Sequence, residues 1–185
     1  MDVADTVRFL GEQVELFKEF PDDTLQQTVR SSRITTFEPN EAIIEFGGEG
    51  RFLGVLLQGE AEVSVADNAG RRTRLSLLKP GDVFGEMSLM TGDRTVADVI
   101  GIQRCTALLI PRDLFSEIVG SHPRAIQYLS RILTRRSREI AFDERRRDLN
   151  AEAIAGNADP YGFSLNTDTP IKLLAVNCGS SSLKY

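Results

Sequence analysis

Apolar residues in the first thirty positions recur at helical spacing. Val7, Leu10, Val14 and Phe17 form one set, and Phe20, Leu25 and Val29 form a second, the interval of amphipathic helices. Pro21 interrupts the run, and Asp22 and Asp23 suit the first turn of a second helix. Between residues 34 and 110 the period shortens. Strands are expected around Ile43, Ile44 and Phe46 and over residues 52–57, 60–66, 72–78, 96–101 and 105–110. Turns separate them at Pro39-Asn40, Gly47-Gly48, Gly59, Asp67-Asn68-Ala69-Gly70 and Pro80-Gly81-Asp82, with Asn40 able to take a left-handed backbone. Short strands at this spacing point to a sandwich or jelly roll.

Helical signals return after Ile110. Pro111-Arg112-Asp113 opens a helix through residue 119, and Pro123 takes the first position of another. That last helix places Ile126, Leu129, Leu133 and Ile140 on one stripe. Its arginines (Arg131, Arg135, Arg136, Arg138, Arg145, Arg146 and Arg147) read as a solvated face. The resulting fold class is α+β, a β jelly roll flanked by N-terminal helices and a long C-terminal helix. The segments are helices over 1–32, the jelly roll over 33–110, helices over 111–149, a linker over 150–169 and a further strand and loop over 170–185. The linker reading rests on Gly156, Asn157, Asp159-Pro160, Gly162 and Pro170 in a stretch poor in large apolar side chains.

Composition narrows the function classes. The chain has 185 residues with a net charge of −5, which favours neither nucleic acid nor a membrane surface. No apolar run reaches the roughly 20 residues of a membrane helix, and the acidic start is not a signal peptide. Cys105 and Cys178 lie far apart, so a disulfide is not expected and a cytoplasmic location fits. Cys105 reads as a small buried strand residue. The single histidine, His122, stands at a helix start with no second ligand near it, so no metal site is expected.

The chemistry concentrates in residues 84–101, FGEMSLMTGDRTVADVIG. A strand end leads into a short helical turn, then a loop, then a strand. Backbone N–H groups at a helix start attract an anion, Arg94 can neutralise and orient it, and the Glu86 carboxylate can accept from a hydroxyl. This stretch, and about three quarters of the chain (residues 10–147), resembles the cyclic-nucleotide-binding domain of bacterial gene regulators, ion channels and cAMP-dependent kinase regulatory subunits. The resemblance makes residues 84–99 the phosphate-binding cassette. It implies that Glu86, after Gly85 of the same site, holds the ribose 2′-hydroxyl, that the backbone of Met87 and Ser88 holds the cyclic phosphate, and that Leu89 packs beneath. It also implies a cyclic nucleotide, cAMP or cGMP, as the small-molecule ligand. The last helix, residues 123–147, would cap the nucleotide or pair two copies as a homodimer.

The arginine departs from the family pattern. Aligned without a gap on Ala97 and Val99, the phosphate-arginine position holds Thr95, and Arg94 falls one place early. A one-residue deletion in the loop would restore Arg94 but turn the following residues to the other face. Both alignments are open from sequence, and with them a pocket that binds cyclic nucleotide or a degenerate scaffold that does not.

The tail adds a second resemblance. Ile171 begins an apolar strand run, followed by Asn177-Cys178-Gly179-Ser180-Ser181-Ser182, a turn of small donors suited to phosphate. It looks like the opening strand and phosphate loop of acetate kinase and its propionate relatives. That resemblance puts Asn177, Ser180 and Ser182 at a phosphate and magnesium site, with ATP and Mg needed only in a complete kinase. The expectation is a regulatory domain fused ahead of an acetate kinase whose remainder is absent, so no activity and no catalytic residue is expected of this chain. A catabolite-activator type of transcription factor would need a helix-turn-helix where the linker stands, and a channel would need membrane helices.

Overall fold

The structure, a computed structural model, describes residues 1–66 and 70–154, with residue 139 and the helix beyond residue 141 as backbone alone. The chain divides into one unit over residues 1–143 and a second over 144–185, of which the helical backbone of 144–154 is described.

In the first unit, α1 (Val3–Gln13) is capped by the Asp2 carboxylate, which accepts from Asp5 N at 2.8 Å. A 3-10 turn over Glu15–Phe17 and α2 (Asp22–Arg30) follow. Eight strands come next: β1 (Arg33–Phe37), β2 (Ala42–Ile44), β3 (Phe52–Gln58), β4 (Ala61–Ala66), β5 (Arg72–Leu78), β6 (Val83–Phe84), β7 (Asp98–Gly101) and β8 (Cys105–Pro111). Between β6 and β7 lies a short helix, α3 (Glu86–Thr91), and the chain continues in α4 (Arg112–Ser121) and α5 (Pro123–Ile154). Asn40 takes the left-handed backbone at φ 66°, as its place in the turn suggested.

The strands form two four-stranded antiparallel sheets, in the orders β1-β8-β3-β6 and β2-β7-β4-β5. This is the jelly-roll arrangement with flanking helices expected from the turn spacing. One apolar cluster joins the sheets through Phe37, Leu56, Leu78, Phe84, Val99 and Ala107. The other packs the helices on the first sheet through Leu10, Phe17, Leu25, Val55, Leu108 and Leu129. Burying side chains of this size favours folding by about 1.5–3 kcal/mol each before chain entropy is charged.

Several expectations are corrected. Phe46 lies outside β2 and is 67% exposed; its N–H donates to Asp98 Oδ1 at 2.8 Å, which turns the chain out of the sheet. β7 begins at Asp98 rather than residue 96, because residues 94–97 are stitched to the turn at 45–48. The inward stripe of α5 is Ala125, Leu129 and Ile132, whereas Ile126 is 40% exposed. Helix α5 also continues through Ile154 into the expected linker. His122 stands at the start of α5 as expected, its carbonyl accepting from Ala125 N at 2.9 Å, and it also closes α4. Its Nδ1 lies 3.0 Å from Ile118 O and its ring stacks on Phe20 at 3.9 Å. The rest of the expected linker, from residue 155, and the tail with Asn177, Ser180 and Ser182 fall outside the described residues.

Candidate functional site

Strand β6 is only two residues long, and a missing side chain opposite it fixes its placement. Gly54 on β3 pairs with Phe84, and a Cβ at Gly54 would stand 2.1 Å from the Phe84 ring. The ring therefore occupies the space that a side chain at Gly54 would take. Gly85 follows at φ 80°, with Phe52 O 2.8 Å from where its Cβ would be. Any other L-residue would be strained there and would also collide with that carbonyl. This turn drops the chain into α3 and points Glu86, its first residue, into the interior.

Glu86 is fully buried. Its Oε1 accepts from Arg136 NH1 on α5 at 2.6 Å, and the second guanidinium nitrogen donates to Val83 O at 2.8 Å. The pair is nearly dry, with side-chain exposures of 15% for Arg136 and 1% for Glu86. Glu86 Oε2 has no hydrogen-bond partner. A buried carboxylate oxygen without a donor is costly, and here it borders a cavity of about 60 Å³.

That cavity lies between the second sheet, α3 and α5. Ile44, Val63, Leu75, Phe84, Ala97 and Val99 supply apolar walls; Gly85, Glu86, Met87, Ser88 and Thr95 line one side, and Arg136 and Ile140 of α5 the other. The first N–H groups of α3 have no carbonyl ahead of them in the helix. Ser88, itself buried, donates to Gly85 O at 3.3 Å.

Residues 94–97 run in extended form beside the turn at 45–48. Thr95 is buried and Arg94 and Val96 are exposed, so the side chains alternate. The chain pairs with the turn before β3, Thr95 N to Gly48 O at 3.0 Å and Gly47 N to Thr95 O at 2.8 Å. Thr95 Oγ1 donates to Glu45 O at 2.5 Å and lies 3.3 Å from Gly48 O. Arg94 donates to Gly47 O at 2.7 Å and borders a separate surface hollow with Asp93 and Arg112. Of the residues the sequence singled out, Gly85, Glu86, Met87, Ser88 and Thr95 share one cavity, and Arg94 does not join them. Asp98 also turns away, holding Phe46 N and, through Oδ2, Arg72 NH1 at 3.0 Å.

Arg136 is the residue the sequence reading missed. A signal was available: 125, 129, 132, 136 and 140 follow one another at three or four residues, which places an arginine in the buried stripe of α5. Among the described residues no group of three metal-ligating side chains occurs, and no helix is long and apolar enough to cross a membrane.

Residues 34–122 match the family model of the cyclic nucleotide-binding domain. That segment is therefore a cyclic nucleotide-binding domain, and solved structures of a kinase regulatory subunit and of a catabolite activator share its fold. It is similar to human cGMP-dependent protein kinase 2, with 27% identity over 135 residues that cover 72% of this chain and 17% of that protein. Among solved structures it is similar to the regulatory subunit of a cAMP-independent protein kinase A from Trypanosoma cruzi bound to guanosine. The identity there is 25% and the TM-score 0.62, over 85% of this chain and 52% of that one. The Thermus thermophilus catabolite activator protein shares the fold, with TM-score 0.61 and 23% identity over 74% of this chain and 62% of that one.

Proposed function

We propose that this chain is a regulatory module that binds a purine nucleoside or its cyclic phosphate (cAMP or cGMP) through the ribose, and passes occupancy of the pocket to α5. One observation carries the reading. Glu86 is buried beside the cavity with Oε2 unpartnered, and a ribose hydroxyl is the donor that oxygen lacks. The apolar walls suit a base. Two relatives support the ligand class, a kinase named for its dependence on cGMP and a regulatory subunit bound to guanosine.

The cavity of about 60 Å³ is far below the roughly 300 Å³ of an ordinary ligand pocket. A nucleoside therefore enters only as Arg136 and Ile140 move out, and α5 moves with them. Ribose and Arg136 compete for Glu86, so ligand favours the arrangement in which α5 is released. The same proposal makes α5 the route to an acetate kinase linked on the C-terminal side, a partner supported by the string from Asn177 to Ser182. Pairing of two copies through residues 123–147 is part of it too, supported by Ile126, exposed on that helix.

Calorimetric titration of adenosine, guanosine, cAMP and cGMP into the chain tests the reading. At least one ligand of the four binds in the micromolar range, and Glu86→Gln weakens it tenfold or more. Binding unchanged by Glu86→Gln contradicts it.

A further inference from the structure

We infer that the pocket is built for an uncharged nucleoside and discriminates against the cyclic phosphate. This rests on the reading of Glu86 as the ribose acceptor and specifies what lies beyond the ribose. Among the described residues the only cationic side chain lining the cavity is Arg136, and its charge is taken by Glu86. Arg94 faces solvent and holds Gly47 O. A phosphodiester in this cavity would bring a negative charge next to a buried carboxylate with no guanidinium of its own.

Thr95 gives the second, independent argument. A hydroxyl has one proton and two lone pairs. The two oxygens nearest Thr95 Oγ1 are carbonyls, Glu45 O at 2.5 Å and Gly48 O at 3.3 Å, so the proton is spent on the backbone. What Thr95 turns to the cavity is a lone pair. It accepts from a ligand hydroxyl and repels a phosphate oxygen. Ser88 is committed in the same sense, its proton going to Gly85 O. The first N–H groups of α3 remain as donors. A ribose hydroxyl answers both sides at once, accepting from an N–H and donating to Thr95, whereas a phosphate oxygen satisfies only the first. A phosphate here also forgoes the charge-assisted bond that a guanidinium would give it, which weakens binding about 10- to 100-fold.

The test is a ligand series titrated into the unaltered chain. Guanosine and adenosine bind at least tenfold tighter than cGMP and cAMP, and removing the 5′-hydroxyl, as in 5′-deoxyguanosine, weakens binding about tenfold. A cyclic nucleotide that binds as tightly as its nucleoside overturns the inference while leaving the ribose reading standing. Loss of affinity for 2′-deoxyguanosine checks that reading separately. If neither nucleosides nor cyclic nucleotides bind at millimolar concentration, the ribose reading fails and the inference with it. Thr95→Arg supplies the missing guanidinium, so it should invert the preference and raise cyclic-nucleotide affinity at least tenfold. Because Thr95 also holds the 45–48 turn, the series on the unaltered chain decides if that variant misfolds.

Discussion

Replacing Arg136 by alanine strips the Glu86 carboxylate of its only partner among the described residues. Both charge-assisted hydrogen bonds of the guanidinium are lost, one to Glu86 Oε1 at 2.6 Å and one to Val83 O at 2.8 Å. The carboxylate, 1% exposed in the intact pair and already without a donor at Oε2, loses the donor at Oε1 as well. Breaking a buried ion pair from one side costs about 3–5 kcal/mol, because the surviving charge has no solvent to fall back on. With a urea slope of about 2 kcal/mol per molar, the unfolding midpoint drops by roughly 1.5–2.5 M. The double replacement Glu86→Leu with Arg136→Met removes both charges and fills the volume, and should stand within about 1 kcal/mol of the unaltered chain. Urea titrations of the two variants, followed by far-ultraviolet circular dichroism, read both numbers. A loss below about 1 kcal/mol for Arg136→Ala would refute the reasoning, since it would mean that Glu86 is hydrated and α5 is not seated over the cavity.

Gly54→Ala drives a methyl group to within 2.1 Å of the Phe84 ring; overpacking costs about 2–3 kcal/mol, read as a melting point lower by roughly 5–10 °C. Burial raises the Cys105 thiol pKa, with Glu41 adding to the shift, and burial likewise raises the Tyr128 phenol, partly offset by Arg136. Both groups hold their protons longer in the folded chain than in the unfolded one. Their contribution is complete at neutral pH and is lost as pH climbs past about 8.5 for the thiol and about 10 for the phenol. Urea midpoints measured from pH 7 to 10.5 should therefore fall, and a flat profile contradicts this. Cys105, 1% exposed, should resist alkylation at pH 8 until the chain unfolds, as peptide mapping by mass spectrometry will show.

The fold was legible in the sequence because glycine, proline and asparagine turns punctuate it at fixed intervals. Asn40 and Gly85 occupy left-handed positions, and Pro123 opens α5. Glu86 was legible for a related reason: a carboxylate directly after a Phe-Gly turn is carried inward by the turn itself. Two features were not. The choice between Arg94 and Thr95 is a one-residue register question in a loop, and nothing local decides it. The pairing of residues 94–97 with the 45–48 turn, some fifty residues away, turns Thr95 inward. Arg136 was lost among its neighbours, because arginines on a helix are ordinarily solvated, and only its phase with Leu129 and Ile132 marks it as inward. Ile126 shows the converse, an apolar residue one step out of phase and exposed.

The central claim is that Arg136 and the ligand compete for Glu86, and one affinity tests it. Guanosine is titrated into the chain and into Arg136→Met, which keeps an apolar stem and removes the guanidinium. If the pocket must be vacated before the ribose enters, the variant no longer carries the cost of breaking the pair and binds about tenfold tighter. Binding that is weaker than, or equal to, that of the unaltered chain would make Arg136 part of the ligand site and contradict the account.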